Sequence, residues 1–168
     1  SPSFQMGYKG YIQLGMRTGQ FRYLNADMVY EGMTVEKDHL TGNCQILGAQ
    51  TSDKVIGYFA YMELMTGFKK VAYLTVEQAM AHAKEYSRAY QYDLKNNCKS
   101  SPWSNHRDAM GKKTAIIKLV PYFPMTIEIA NAMDDIDEQS FGAGMTADAN
   151  STIIESSLGQ GSYVGPDN

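Results

Sequence analysis

Residues 8–18 read YKGYIQLGMRT, with Tyr8, Tyr11, Ile12 and Gly15 recurring at spacings of three and four. That period predicts an amphipathic helix, ended by Gly19. Lys9, Gln13 and Arg17 step by four, so they form one polar ridge on that helix. From Phe21, FRYLNADMVY has strand character and is stopped by Glu31-Gly32. The polar, turn-rich residues 36–44, EKDHLTGNC, predict a hairpin tip or a loop. Residues 54–75 predict two strands around a turn at Thr66-Gly67. Their aromatics Tyr58, Tyr61, Phe68 and Tyr73, with Val55, Ile56 and Val71, suit a pleated surface. Thr75-Val76-Glu77-Gln78 has the form of a capping box and opens a helix expected to run to about Tyr90, packing through Met80 and Ala83. Residues 92–102, YDLKNNCKSSP, read as a loop, and a second long helix should run from Trp103 or Asn105 to Pro121. A shorter helix is expected over 125–133. Strands followed by helices predict an α+β fold.

Composition changes this picture in one respect. The 168 residues suit one domain, and no apolar run is long enough to cross a bilayer. Nor does the chain open on a leader of the signal-peptide type. Cys44 and Cys98 share no short spacing with each other or with a histidine; they read as thiols of a reducing compartment, with a disulfide between them left open. The net charge of −3 is unevenly spread. Residues 134–168 hold seven acids and no Lys or Arg, leaving 15 basic and 11 acidic residues, a net of +4, in residues 1–133. A basic body, 1–133, with an acidic, Gly- and Ser-rich tail, 134–168, fits an anion-binding domain carrying a disordered or partner-binding extension. Within the tail, residues 151–158 have the character of a short docking motif.

Two segments concentrate candidate chemistry. The Lys9–Gln13–Arg17 ridge offers two cations and an amide without an intervening acid, which can grip phosphates or simply meet solvent. The second long helix carries Arg107, Lys112, Lys113 and Lys118 against the single acid Asp108, with Trp103 just ahead of it. Lys and Arg neutralise phosphates, and an aromatic can stack a base or anchor a core. Rival chemistry finds less support. A P-loop motif is absent, and the loose dinucleotide fingerprint starting at Gly142 has no strand before it. His39, His82 and His106 have no ligand partners at short spacing. Asp27, Glu31, Asp53 and Glu63, meeting across a sheet, would give a metal-dependent nuclease as the enzymatic alternative. Apolar self-association, helped by eleven adaptable methionines, is a structural alternative.

Three blocks, MGYKGYIQLGMRTGQF, GYFAYMELMTGFKKVAYLTVEQAMAHAKEYS and SPWSNHRDAMGKKTAIIKLVPYF, resemble in matching order the RecT family of phage single-strand annealing proteins, the group that includes Redβ. The resemblance spans residues 4–133. It implies a small antiparallel sheet of three or more strands backed by helices, with DNA in a long groove. It also implies a non-enzymatic activity, the pairing of complementary DNA strands without ATP on rings or filaments. Lys9, Gln13, Arg17, Lys112, Lys113 and Lys118 are then expected DNA contacts, with Arg107 as a further contact and Trp103 and Tyr11 as packing or stacking groups. Lys69 and Lys70 beside the strand turn become DNA or subunit contacts.

What else follows from the resemblance concerns partners. Single-stranded DNA, the annealed duplex and further copies of the chain are expected, in the cytoplasm of a bacterium carrying a phage or prophage. A host single-strand-binding protein or a companion exonuclease would meet the C-terminal region. No cofactor is expected, magnesium being at most a modulator of DNA binding. The resemblance also implies a segment ahead of GYKGY, forming one wall of the groove, which this sequence lacks.

Overall fold

The computed structural model describes residues 6–126 and Ile129. The expected helix over 125–133, apart from its first residues and Ile129, and every expectation for residues 134–168 lie outside that range. The element order is α1 (Tyr8–Arg17), β1 (Phe21–Tyr30), β2 (Thr34–Lys37), β3 (Cys44–Leu47), β4 (Val55–Leu64), β5 (Lys69–Thr75), α2 (Val76–Tyr86), α3 (Arg88–Asn96), α4 (Pro102–Asn105) and α5 (Arg107–Ile117). A 3₁₀ turn over Val120–Tyr122 follows. The α+β expectation holds.

The main sheet is antiparallel with strand order β1-β4-β5. Side chains alternate between its faces, and one face is helix-covered. Ala26, Ala60 and Ala72 form a row across all three strands, flanked by Met28, Tyr58 and Leu74 on one side and by Leu24 and Met62 on the other. Apart from the half-buried Met28, these residues belong to the buried core. A row of three alanines leaves depth for a helix to approach the sheet closely. Bulges between Phe21 and Tyr23 and between Val29 and Tyr30 shift the alternation, so Phe21 and Leu24 are both buried. Above this face, α1 packs on β1, α5 on β4 and β1, and α2 on β5, which places α5 in the middle of the helix layer.

The polar stretch 36–44 is the tip of a second hairpin, β2–β3, with Asp38 accepting from the Leu40 amide at 2.9 Å. Gly67, at φ +94°, closes the β4–β5 turn. The capping box forms as expected: Thr75 Oγ1 accepts from the Gln78 amide at 3.1 Å, and the Thr75 amide donates to Gln78 Oε1 at 2.9 Å.

Two expected long helices are each broken. The first ends at Tyr86, where Ser87 takes an extended conformation and its Oγ accepts from the Tyr90 amide, capping α3. Residues 92–96, expected as loop, continue α3, which ends at Asn97 in the left-handed conformation, φ 49°. The second breaks at His106, separating the short α4 from α5.

Candidate nucleic-acid interface

The orientation of α1 is fixed from below. Tyr11 is 1% exposed, and Gly15 seats against β1 with no side chain between. A Cβ at Gly15 would lie 2.6 Å from Leu24 Cδ2 and 3.2 Å from Phe21 Cε2, so glycine permits this approach and larger residues do not. With Tyr11 and Gly15 turned down, Lys9, Gln13 and Arg17 emerge together on the exposed stripe. The helix carries no acid, and Lys9 and Arg17 take no part in the ion pairs Arg22–Glu63, Lys54–Glu31 and Arg107–Asp108.

The basic residues of α5 are placed differently. Lys112 is half-buried at the seam with α1: its Nζ donates to Tyr8 Oη at 3.2 Å and lies 4.3 Å from the centre of that ring. The lysine therefore joins the two helices by a hydrogen bond and a cation–π contact. Arg107 belongs to a different cluster. Its Nε donates to Tyr58 Oη at 3.2 Å, Tyr58 Oη donates to Asp108 Oδ1 at 2.6 Å, and Arg107 and Asp108 lie 3.6 Å apart. Burial, and then the Asp108 carboxylate, push the Tyr58 hydroxyl up to about 12. Gly111 lies directly on the Tyr58 ring, where a Cβ would collide with Cδ2 and Cε2. Lys118, the C-cap of α5, is exposed on the α2 side; burial, then the charge of Lys118, lowers the pKa of His82.

Three of the expected residues are buried within the fold. Trp103 is 4% exposed and belongs to the core, turned inward by α4, whose N-cap Ser101 and following Pro102 set its direction. Lys113 is 6% exposed. The reason is the breadth of the buried face of α5, where Gly111 and every residue from Lys113 to Ile117 are buried. Lys113 and Trp103 instead line, with His82, Tyr86 and Thr114, a cavity of about 130 Å³ between α2, α4 and α5. Tyr11 is likewise a core residue, and burial pushes its hydroxyl up to about 12. At the β4–β5 turn Lys69 is exposed, while half-buried Lys70 places its Nζ 4.9 Å from the centre of the Tyr122 ring.

Asp93 was given no part in the sequence reading, yet it organises the segment joining α3 to α4. It accepts from the amides of Ser100 and Ser101, the hydroxyls of Ser100 and Ser104, and the Cys98 thiol. These donors, with those of Ser101 and Ser104 leading, hold its carboxyl far below the usual carboxylate range. The cluster of serines after Asp93 was the available signal. Both cysteines are thiols.

The four acids of the nuclease alternative are dispersed. Glu63 accepts from Arg22 at 3.3 Å and from Tyr61 at 2.9 Å, and Glu31 faces Lys54 at 3.9 Å. Asp27 stands opposite Phe59, four residues along β4 from Glu63. Among the described residues, no three His, Cys, Asp or Glu side chains gather as a metal site. Nor, among these residues, is any helix long and apolar enough to cross a membrane.

The arrangement defines an α+β domain with a three-stranded antiparallel sheet, a helix layer on one face and a cationic outermost helix. The sequence profile of the RecT family matches residues 2–152, and the chain belongs to that family. It is 35% identical over 153 residues to the protein YqaK of Bacillus subtilis (strain 168), covering 90% of this chain and 50% of that protein. It is 32% identical over 136 residues to Protein RecT of Escherichia coli (strain K12), covering 80% of this chain and 47% of that one. The chain thus spans about half the length of the curated relatives it matches.

Proposed function

We propose that this domain binds single-stranded DNA along the Lys9–Gln13–Arg17 stripe and anneals it to a complementary strand without ATP, as part of homologous recombination of the phage type. The carrying observation is the exposed, acid-free stripe on α1, in a chain of the RecT family. Annealing requires no activated nucleophile. It requires one strand held by its backbone, its bases accessible, and the repulsion from a second strand screened. Cations on a rigid ridge do this, and because they address phosphates they confer little sequence preference. Lys112 stands at the seam where such a strand would cross from α1 to α5, with Arg107, Lys118, Lys69 and Lys70 as outlying cations. Trp103 and Lys113 act from within the fold. The reading includes assembly of several copies along the strand, in the cytoplasm of a bacterial host. Contacts to a single-strand-binding protein or an exonuclease through the C-terminal region, and tuning by magnesium, belong to the same reading.

The test is fluorescence anisotropy of a labelled oligonucleotide at low and moderate salt, followed by addition of its complement. Binding that weakens steeply with salt and survives as a protein-bound duplex is the expected result. Association insensitive to salt would instead favour an apolar self-assembling protein.

A further inference from the structure

Residues 84–99 hold four cations, Lys84, Arg88, Lys95 and Lys99, against two acids, Glu85 and Asp93. All four cations are exposed, and none takes part in the ion pairs Arg22–Glu63, Lys54–Glu31 and Arg107–Asp108. The acids do not cancel them at the surface. Asp93 is 2% exposed, and Ser100, Ser101 and Ser104 hold its carboxylate inward. Glu85 is exposed and stands within electrostatic reach of His82.

The arrangement on α3 is one-sided. At about 100° per residue, Arg88, Gln91, Tyr92 and Lys95 fall within one arc of about 100°, on the side away from Asp93. Tyr92 is 60% exposed. Gln91 Nε2 donates to the carbonyls of Lys84 and Glu85 at 2.9 and 3.0 Å, which brings the last turn of α2, with Lys84, alongside this face. Arg88 and Lys95 are seven residues apart, about 10 Å along the axis, or about three nucleotides of a B-form strand. Tyr92 stands between them.

Helix stability does not account for Arg88. It is the first residue of α3 after the Ser87 cap, in a first turn without an acid. A cation there opposes the helix dipole, whereas Lys95 in the last turn agrees with it. α3 is joined to the fold through α2 and α4, and α1 through β1 and α5, so the two cationic faces lie on different flanks of the helix layer.

Cations around an exposed aromatic ring match a single strand in both its parts, the phosphates and the base faces. We infer that this face of α3 is a second strand-binding surface, separate from the α1 stripe. Arg88, Lys95 and Lys84 neutralise phosphates of the incoming complementary strand, and Tyr92 stacks one of its bases. Annealing brings together two polyanions, and the two cations of α1 engage one of them. Capture on α3 concentrates the second strand near the first, held through its backbone and free to leave once it pairs. The role in annealing rests on the function proposed above; the binding of a strand to α3 stands without it.

The test uses the full chain with Tyr92→Trp, whose indole fluorescence is read against that of buried Trp103. A single-stranded oligonucleotide at low salt should quench the new indole, and the quenching should persist when Lys9→Ala/Arg17→Ala is added. Arg88→Ala/Lys95→Ala in the same background should abolish it. In the otherwise unaltered chain, Arg88→Ala/Lys95→Ala should keep first-strand binding and slow the annealing of a complement added afterwards several-fold. An oligonucleotide that binds the chain without quenching the new indole would overturn the α3 surface and leave the α1 stripe standing. Annealing at the parent rate in Arg88→Ala/Lys95→Ala would overturn its role with the second strand. Equal quenching by poly-glutamate would overturn the inference in favour of an acidic protein partner. Quenching in a chain whose affinity is indifferent to Lys9→Ala/Arg17→Ala would uphold the α3 surface and remove the α1 reading.

Discussion

Helices α1 and α5 are both short, basic and packed on the same sheet, yet they use their charges in opposite ways. On α1, Tyr11 and Gly15 take the buried side and Lys9, Gln13 and Arg17 are exposed, with Lys9 and Arg17 outside the ion pairs formed among the described residues. On α5 the burial is so broad that each basic residue is drawn into the fold or pushed to its rim. Arg107 joins Tyr58 and Asp108, Lys112 rests on Tyr8, Lys113 is buried, and Lys118 remains exposed at the C-cap. A cation engaged with its own protein contributes to stability; a cation without such a partner is available to a ligand. Equal residue types at equal helical spacing therefore do not imply equal roles.

That contrast can be broken first at its strongest point, the seat of α5 on Tyr58. Gly111→Val places branched carbons into the Tyr58 ring and should cost about 3 kcal/mol of stability in urea unfolding, since overpacking at a fixed contact forces the helix off the sheet. A variant as stable as the parent would mean that α5 has room the structure does not show.

Next in size, Tyr58→Phe leaves Asp108 and Arg107 without the hydroxyl between them and should cost about 1–2 kcal/mol. Its pH signature is distinct. The folded-state hydroxyl ionises near 12 rather than 10, so its stabilising contribution is complete below pH 10 and is lost as pH rises from 10 to 12. Tyr11 follows the same course. Unfolding free energy should therefore fall across that window in the parent and fall less in Tyr58→Phe; identical profiles would contradict the assignment.

Lys112→Ala sharpens the comparison, because this residue stands between the two regimes. Loss of its contact with Tyr8 should cost about 0.5–1 kcal/mol, read as a lowered urea midpoint. Smallest of all on the stability scale is the pair Lys9→Ala/Arg17→Ala, expected to stay within about 0.5 kcal/mol of the parent because both side chains are solvent-exposed. Loss of stability beyond that would place these cations in the fold and against the ligand role.

The parts of the architecture visible in the sequence were those fixed locally. The 3.6-residue period of α1, the strands about Thr66-Gly67, the hairpin tip over 36–44 and the Thr75–Gln78 box each carry their signal within a few residues. What escaped was imposed from a distance. Ser87 can sit inside a helix or cap one, and here the cap on α3 wins. Residues 92–96 look like loop until Asp93 is seen gathering donors from Ser100, Ser101 and Ser104, an arrangement that exists only once α4 folds back. Lys112 and Lys113 are neighbours in sequence but lie about 100° apart around the helix, and only the packing of α5 decides which of them is buried. Trp103 offered two roles to the sequence and the core took it. The α1 stripe was legible because Tyr8, Ile12 and Gly15 marked the neighbouring face, whereas the burial of Tyr11 was not.

The central claim is that the α1 cations hold the backbone of a DNA strand. It is tested most directly by the slope of log affinity against log salt for a single-stranded oligonucleotide, measured by anisotropy for the parent, Lys9→Ala/Arg17→Ala and Lys118→Ala. Each phosphate contact on a single strand contributes about 0.7 to that slope. The double variant should therefore lose about 1.4, with weaker binding at every salt concentration, unchanged folding and loss of annealing, while Lys118→Ala changes the slope by less. A parent chain that binds with a slope the double variant fully retains would contradict the account, and would move the strand away from α1.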